Sequence, residues 1–164
     1  MPELTAAAPA PLRRRTAALR AGVVVLIVVG LDQLAKHTIG TSIAPGQHRH
    51  VIGSVLEFVY VRNTGVAFGV LAGGGIAVYV ATAVALACLL GYLIFGVTRR
   101  WLWLPTGMLV GGAIGNLIDR VTRGSVIDFI KLPHWPAFNV ADMSITFGVI
   151  ILVLLVEFGG RPGT

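Results

Sequence analysis

Long apolar stretches divide this chain, and all four of its aspartates lie at or near their ends, at positions 32, 119, 128 and 142. A carboxylate beside hydrocarbon is costly. In membrane proteins such residues therefore face a bundle interior or a wet cavity, where they carry out chemistry or transport. The pattern predicts an acidic site at one surface of a membrane.

The composition is that of an integral membrane protein. Of the 164 residues, 55% are hydrophobic and only 12% are charged, and the mean hydropathy is +0.84. These values lie outside the range of ordinary soluble domains. The sequence has no stripe of basic residues interleaved with aromatic ones, as a nucleic-acid-binding surface would have. The net charge is +6, and the arginine clusters Arg13–Arg15 and Arg99–Arg100 lie beside apolar stretches. Positive charge in those places sets membrane orientation, so no nucleic-acid partner is expected.

Four apolar stretches are long enough to cross a membrane, at about residues 17–36, 76–97, 101–118 and 141–158. The first follows a basic segment as in a secretory signal, but no small-residue cleavage site follows it, which favours a retained helix. The arginine clusters place both termini in the cytoplasm. All four aspartates then fall on the outer side. Residues 1–12, rich in Ala and Pro, are predicted to be a disordered tail, and residues 13–164 a single membrane domain.

Two local patterns add to this fold. Residues 47–62 are rich in β-branched and aromatic side chains, with Gly53–Ser54 as a turn, which predicts one or two strands outside the bilayer. Gly107, Gly111 and Gly115 recur at four-residue spacing, which predicts a helix face that a neighbouring backbone approaches closely. The predicted fold is a mainly α membrane protein with a small β-structure on its outer side.

Polar residues near the outer helix ends form one part of the candidate site. Asp32 and Lys36 share a helix face, and their spacing fits either an ion pair at the membrane edge or a direct role with substrate. Asn116, Asp119 and Arg120 also share a face. The adjacent Arg120 is expected to keep Asp119 ionised, which favours a supporting role over a catalytic one.

Asp128 and Asp142 form the candidate catalytic pair. Asp128 lies in an apolar extended segment, Asp142 lies at the start of the fourth apolar stretch, and neither has an adjacent cation. If the two meet, mutual repulsion keeps one protonated while the other is ionised, as in aspartic proteases. For either aspartate alone a helix cap or polar anchor is the simpler interpretation, but two on one side favour a site.

Metal and thiol chemistry are not predicted. His48 and His50 flank Arg49 in a polar segment without a zinc-binding motif, and solvated histidines are the better interpretation. Cys88 is the only cysteine and lies within an apolar stretch. We expect no metal ligand among these residues.

Five segments resemble, in order and at similar spacing, the signature blocks of the lipoprotein signal peptidase family (signal peptidase II). They are Asp32–Lys36, Asn63–Gly69, Gly111–Arg120, Val126–Phe129 and Phe138–Asp142. The resemblance implies a membrane aspartic endopeptidase that removes the signal peptide from prolipoproteins, cutting before the cysteine that carries a diacylglyceryl group. It also implies four membrane helices, an extracytoplasmic β-cradle, and a site on the outer side of the bacterial cell membrane. No cofactor is implied.

The resemblance assigns roles to individual residues. It implies catalysis by Asp128 and Asp142. It implies supporting or substrate-binding roles for Asp32, Lys36, Asn63, Gly65, Asn116, Asp119, Arg120, Asn139 and Ala141. The implied partners are lipid-modified prolipoproteins and membrane lipid, and a monomer is expected.

Two other classes of protein remain open. A proton-coupled small transporter also uses membrane carboxylates, but it needs acids accessible from both sides, often near mid-span. No aspartate lies inside the second apolar stretch or on the cytoplasmic half of another. A non-enzymatic scaffold could assemble through the glycine face, and it would tolerate loss of all four aspartates.

Overall fold

The structure is a computed structural model that describes residues 10–53, 55–64 and 101–158, with side chains from residue 14 onward. Within these ranges the elements follow in the order α1 (Ala10–Ser42), β1 (His48–Ile52), β2 (Leu56–Asn63), α2 (Trp103–Arg123), β3 (Val126–Lys131) and α3 (Val140–Phe158). The predicted apolar stretch at 76–97, with Cys88, lies outside the described residues, and so do Gly65 and most of the predicted tail.

Two of the described helices are long and apolar enough to cross a membrane by length and composition, Arg14–Ser42 and Val140–Phe158. α1 extends beyond the predicted residues 17–36 at both ends. Its 33 residues give a length of about 50 Å, against about 30 Å for a bilayer core. α2 begins and ends later than the predicted residues 101–118. It does not reach the same mean hydropathy, because its last turns carry Asn116, Asp119, Arg120 and Arg123.

α2 packs parallel to α1 along the predicted glycine face. Gly107 lies against Ala21 and Val24, and Gly115 lies against Asp32, further along α1. A Cβ on Gly107 would be 2.6 Å from the Cβ of Val24, so any larger residue would push the helices apart. The prediction that small residues allow a close helix approach here is confirmed, with α1 as the neighbour.

α3 packs against α2 in the opposite direction. A Cβ on Gly112 would be 2.5 Å from the carbonyl oxygen of Ala141, at the start of α3. One turn later the Ser144 hydroxyl donates to the Met108 carbonyl (2.9 Å). The ends of α1 and α2 therefore meet the beginning of α3 at one end of the bundle, the site end. At the opposite end, the Arg20 guanidinium lies 5.8 Å from the ring centre of Trp103.

A three-stranded antiparallel sheet in the order β1–β2–β3 lies at the site end. The predicted residues 47–62 supply β1 and β2, and β3 adds the third strand. The β2–β3 pairing is irregular between Phe58 and Val61, and it resumes with Val61 opposite Asp128 and Asn63 opposite Val126. Asp128 is thus held in a ladder next to the end of β2.

An apolar cluster joins the sheet to the bundle. Ile39 and Ile43 of α1 are buried together with Phe129 of β3, and Phe58 and Tyr60 of β2 pack against them. Burial of such side chains stabilises a fold by about 1.5–3 kcal/mol each. Since Phe129 follows Asp128 directly, this cluster fixes β3 over the end of α1.

Candidate active site

Asp128 and Asp142, the acid pair, are brought together through Asn139. The Asn139 side-chain amide donates to Asp128 Oδ1 (2.7 Å), and the Asn139 backbone N–H donates to Asp142 Oδ2 (3.2 Å). Asp128 is 2% exposed and Asn139 is fully buried. A strand and a helix that are separate in the fold thus present their carboxyls to one asparagine.

Asn139 and Asp142 also cap the start of α3. The Asp142 backbone N–H donates to Asn139 Oδ1 (2.9 Å), and the Asn139 backbone N–H returns a bond to the Asp142 carboxylate. This reciprocal arrangement is a capping box, with the cap residue followed three positions later by an acid. Asp142 therefore has both positions at once: it caps the start of α3, and it belongs to the acid pair.

Two more asparagines complete the hydrogen bonding of the acid pair. Asn63 Nδ2 donates to Asp128 Oδ2 (2.9 Å), and Asn116 Nδ2 donates to Asp142 Oδ1 (2.8 Å). Each of the four carboxylate oxygens thus accepts at least one N–H. Neutral amides orient both carboxyls without adding charge beside them.

A second buried group, the Lys36 cluster, consists of Lys36, Asp32 and Asp119. Lys36 Nζ lies 2.7 Å from Asp32 Oδ2 and 2.9 Å from Asp119 Oδ2, and it donates to Asn116 Oδ1 at 3.2 Å. A lysine has three N–H donors, and each has an acceptor here. All three charged side chains are 0% exposed. The expected ion pair between Asp32 and Lys36 is present, and Asn116 connects this cluster to Asp142.

The Lys36 cluster also holds the backbone beside each member of the acid pair. Asp32 Oδ1 accepts the N–H of Ala141 (2.9 Å), the residue that precedes the α3 member. Asp119 Oδ2 accepts the N–H of Ile127 (3.1 Å), the residue that precedes the β3 member. One lysine and its two carboxylates therefore set the relative positions of β3 and α3.

Two residues that the sequence analysis did not single out extend this cluster. Gln33 Nε2 donates to Asp119 Oδ1 (3.1 Å) and to the Gly115 carbonyl (3.2 Å). Arg123 forms an ion pair with Asp119. From the sequence, the adjacent Arg120 was predicted to be the cation beside Asp119. Arg123 follows Asp119 by four residues, close to one helical turn, and this spacing brings two side chains nearer to each other than adjacent positions do.

The remaining predicted residues lie against the same two groups. Arg120 is 9% exposed, and its Nη1 donates to the Asn116 carbonyl (3.4 Å). Ala141 is fully buried, and Gly65 lies outside the described residues. Within the described ranges, no three His, Cys, Asp or Glu side chains are grouped as metal ligands.

The pKa of Asp128 is raised to about 7. Burial is the main cause, because it disfavours the charged form, and the nearby charge of Asp142 is the second. The amide donors of Asn63 and Asn139 lower the pKa and offset part of this rise. A carboxyl with this pKa carries a proton in a large fraction of molecules near neutral pH.

Two solved structures share this fold, each described as a bacterial membrane enzyme structure obtained by the in meso method. The first matches with a TM-score of 0.79 and 32% identity, over 88% of this chain and 93% of that one. The second matches with a TM-score of 0.76 and 32% identity, over 84% and 92%. The fold of the helices and the small sheet is therefore one that solved bacterial membrane enzymes also have.

Relatives narrow this class to one family. Residues 24–158 match the family model of signal peptidase (SPase) II. The chain is 46% identical to the lipoprotein signal peptidase of Moorella thermoacetica over 128 residues, which cover 77% of this chain and 85% of that protein. It is 41% identical to that of Mycobacterium tuberculosis (strain H37Rv) over 162 residues, covering 93% and 76%. The chain belongs to the signal peptidase II family and is a peptidase, which confirms the resemblance of the five segments.

Proposed function

We propose that this protein is a membrane aspartic endopeptidase that removes the signal peptide from prolipoproteins, cutting before the cysteine that carries a diacylglyceryl group. The acid pair is the observation that carries the proposal. Asp128 and Asp142 come from separate elements and are joined through Asn139. Two carboxyls that share one proton can activate water and protonate a leaving group, and this chemistry needs no cofactor.

Asp128 is the member that holds the proton, and Asp142 is the ionised member. The raised pKa of Asp128, about 7, supports this order. Asp142 lies in the first turn of α3, where the peptide dipoles favour a negative charge. A water molecule between the carboxyls gives a proton to Asp142 as its oxygen attacks the scissile carbonyl. Asp128 donates its proton to the carbonyl oxygen, which yields a tetrahedral diol.

Breakdown of the diol restores the starting state. Asp142 returns its proton to the leaving nitrogen while Asp128 takes one from a diol hydroxyl, and the C–N bond breaks. The products are a carboxylic acid and an amine, and Asp128 is again protonated while Asp142 is ionised. The asparagine amides hold both carboxyls in place through these steps, since neutral donors tolerate either charge state.

The course of the chain supports four membrane helices with both termini in the cytoplasm. β2 ends with Asn63 at the site end, whereas α2 begins with Trp103 beside Arg20 at the opposite end. The chain has to return between these points, and we assign that crossing to the uncharged stretch 76–97. The two arginine clusters that flank apolar stretches, Arg13–Arg15 and Arg99–Arg100, lie near the beginnings of α1 and α2 in the sequence. This supports a cytoplasmic location for the opposite end and an outer location for the acid pair.

The exposed helix surfaces fit a substrate that stays in the membrane. α1 exposes Leu26 and Ile27, and α3 exposes Val153 and Leu154. Apolar faces of this kind are stable against lipid tails or a signal helix. A substrate anchored by both a signal helix and acyl chains would bring its cleavage site to the depth of the acid pair. Residues 13–164 would act as one membrane domain.

A matched pair of substrates tests the substrate class. Purified protein is incubated with a prolipoprotein whose cysteine carries diacylglyceryl, and with the same prolipoprotein lacking the lipid. We expect cleavage of the modified form only, directly before the cysteine, as read by mass spectrometry. The Asp128→Asn variant is the control for contaminating peptidases. Equal cleavage of both forms would contradict the lipid requirement, and solute flux without cleavage would favour a transporter.

The pH dependence of kcat/KM tests the assignment of the proton. Because the pKa of Asp128 is raised to about 7, its acidic form is complete well below that pH and is lost as the pH rises through it. We expect activity to fall on the alkaline side with a midpoint near that value, and to fall at low pH as Asp142 becomes protonated. Asn63→Ala removes a donor that lowers this pKa, so the alkaline midpoint should move upward. A profile that stays flat well above neutral pH would contradict the assignment.

A further inference from the structure

Arg62 ties the end of β2 to the end of α2. Its Nε donates to the Ser125 hydroxyl (2.9 Å), and its Nη2 donates to the Arg123 carbonyl (2.6 Å). Ser125 is 2% exposed and lies in the connection from α2 to β3. The last carbonyls of a helix lack intrahelical partners and attract cations. The guanidinium therefore contacts two elements at once.

The end of β2 pairs with β3 over a short segment only. Its pairing with β3 is irregular between Phe58 and Val61, and the regular pairing that follows includes only the last three residues of β2. Asn63 is the final residue of the strand. Short terminal segments open more readily than the middle of a ladder. The Asn63 side-chain amide, which donates to Asp128 Oδ2 (2.9 Å), therefore lies at the end of a short paired segment.

We propose that Arg62 is a positioning residue for the acid pair: by anchoring the end of β2 to α2 and Ser125, it keeps the Asn63 amide on Asp128. This rests on the proposed function, because it assigns Arg62 a part in that reaction. Exposed arginines commonly form weak surface pairs. Here both acceptors are neutral oxygens in fixed backbone surroundings, and the anchored strand leads directly to a residue that contacts the acid pair.

The test compares Arg62→Met and Arg62→Lys with Asn63→Ala. Arg62→Met should lower kcat about tenfold, roughly the effect of losing the hydrogen bond between Asn63 and Asp128, while KM changes less than about twofold. Its alkaline midpoint should move upward, in the direction of Asn63→Ala. Arg62→Lys should recover part of kcat, because an ammonium group keeps the charge but lacks the planar fork. Arg49→Met, at an exposed arginine on β1, is the matched control and should behave as wild type.

The double variant Arg62→Met/Asn63→Ala separates positioning from general damage. If Arg62 acts through Asn63, the double variant should be no slower than Asn63→Ala alone, since coupled residues are not additive. Effects that multiply, or an Arg62→Met variant with kcat within twofold of wild type, would overturn the proposal. Should Arg62→Met fail to insert, Ser125→Ala removes one of the two acceptors and should shift kcat and pH midpoint in the same direction; an unchanged profile overturns it.

Amide hydrogen exchange tests the anchoring of β2 without any measurement of catalysis, so its result does not depend on the proposed function. Amide hydrogen exchange at residues 61–63 should become at least about tenfold faster in Arg62→Met, with exchange in α1 and α3 unchanged. If wild-type protein does not cleave the lipid-modified substrate, the proposed function fails. The anchoring of β2 is then judged by exchange alone, and unchanged exchange at residues 61–63 overturns it.

Discussion

Asp128→Asn and Asp142→Asn are each expected to lower kcat/KM for a diacylglyceryl-modified substrate by at least about 10³-fold, because each removes one of the two proton-transfer groups. An amide has the size and planarity of a carboxyl and keeps one of its two acceptor oxygens, so we expect the fold to be retained. The measurement is single-turnover cleavage in detergent or proteoliposomes. Membrane insertion and thermal unfolding are followed in the same preparations.

A carboxyl outside the two buried groups provides the control. Glu57 on β2 pairs with His48 and His50 at the sheet surface, and the His48 hydrogen bond lowers its pKa. Glu57→Gln should leave cleavage unchanged, because no reacting group contacts it. Normal turnover in either aspartate variant would move the chemistry elsewhere, and Asp119 would then be the first residue to test.

Asp119→Asn is expected to destabilise the protein by about 3–5 kcal/mol, the cost of breaking a buried ion pair and leaving its partner charged. Asp119 contacts Lys36 and Arg123 and accepts the Ile127 N–H. Replacing it leaves two positive charges, on Lys36 and Arg123, against the single negative charge of Asp32, and it loosens the start of β3. The measurement is the free energy of unfolding in detergent, compared with kcat/KM of the folded fraction.

The outcome for Asp119 distinguishes a structural from a chemical role. We expect stability to be affected at least as strongly as catalysis, since Asp119 contacts Lys36 and backbone rather than the acid pair itself. Glu57→Gln is again the matched variant, because its partners are accessible to water and screening makes such pairs weak. A stable but inactive Asp119→Asn protein would instead assign Asp119 to the chemistry.

The Lys36 cluster explains why supporting residues so far apart along the chain act together. Asp32 and Asp119 carry two negative charges, and Lys36 and Arg123 carry two positive ones, so the group is balanced. A balanced and fully hydrogen-bonded group is the form in which buried charge is tolerated. The group is hydrogen-bonded to the backbone of Ile127 and Ala141, and Asn116 links it to Asp142. These bonds fix the positions of both carboxyls of the acid pair.

Some features of the site were accessible from sequence because they are local. The ion pair of Asp32 with Lys36 follows from helical spacing, and the close helix approach at Gly107 follows from residue size. The ion-pair partners of Asp119, Lys36 and Arg123, were not predicted, and Lys36 reaches Asp119 from another helix. The two hydrogen bonds of Arg62 were not predicted, because its acceptors are a hydroxyl and a carbonyl whose positions no sequence pattern specifies.

Hydropathy and charge placement were enough to identify a membrane protein with its acids gathered near helix ends, because the cost of a carboxylate in hydrocarbon acts on each residue separately. The signature segments then identified the family. Which N–H meets which carboxylate oxygen depended on the packing of α1, α2, β3 and α3. The same packing raises the pKa of Asp128, because burial and the distance to another charge are properties of the assembled fold.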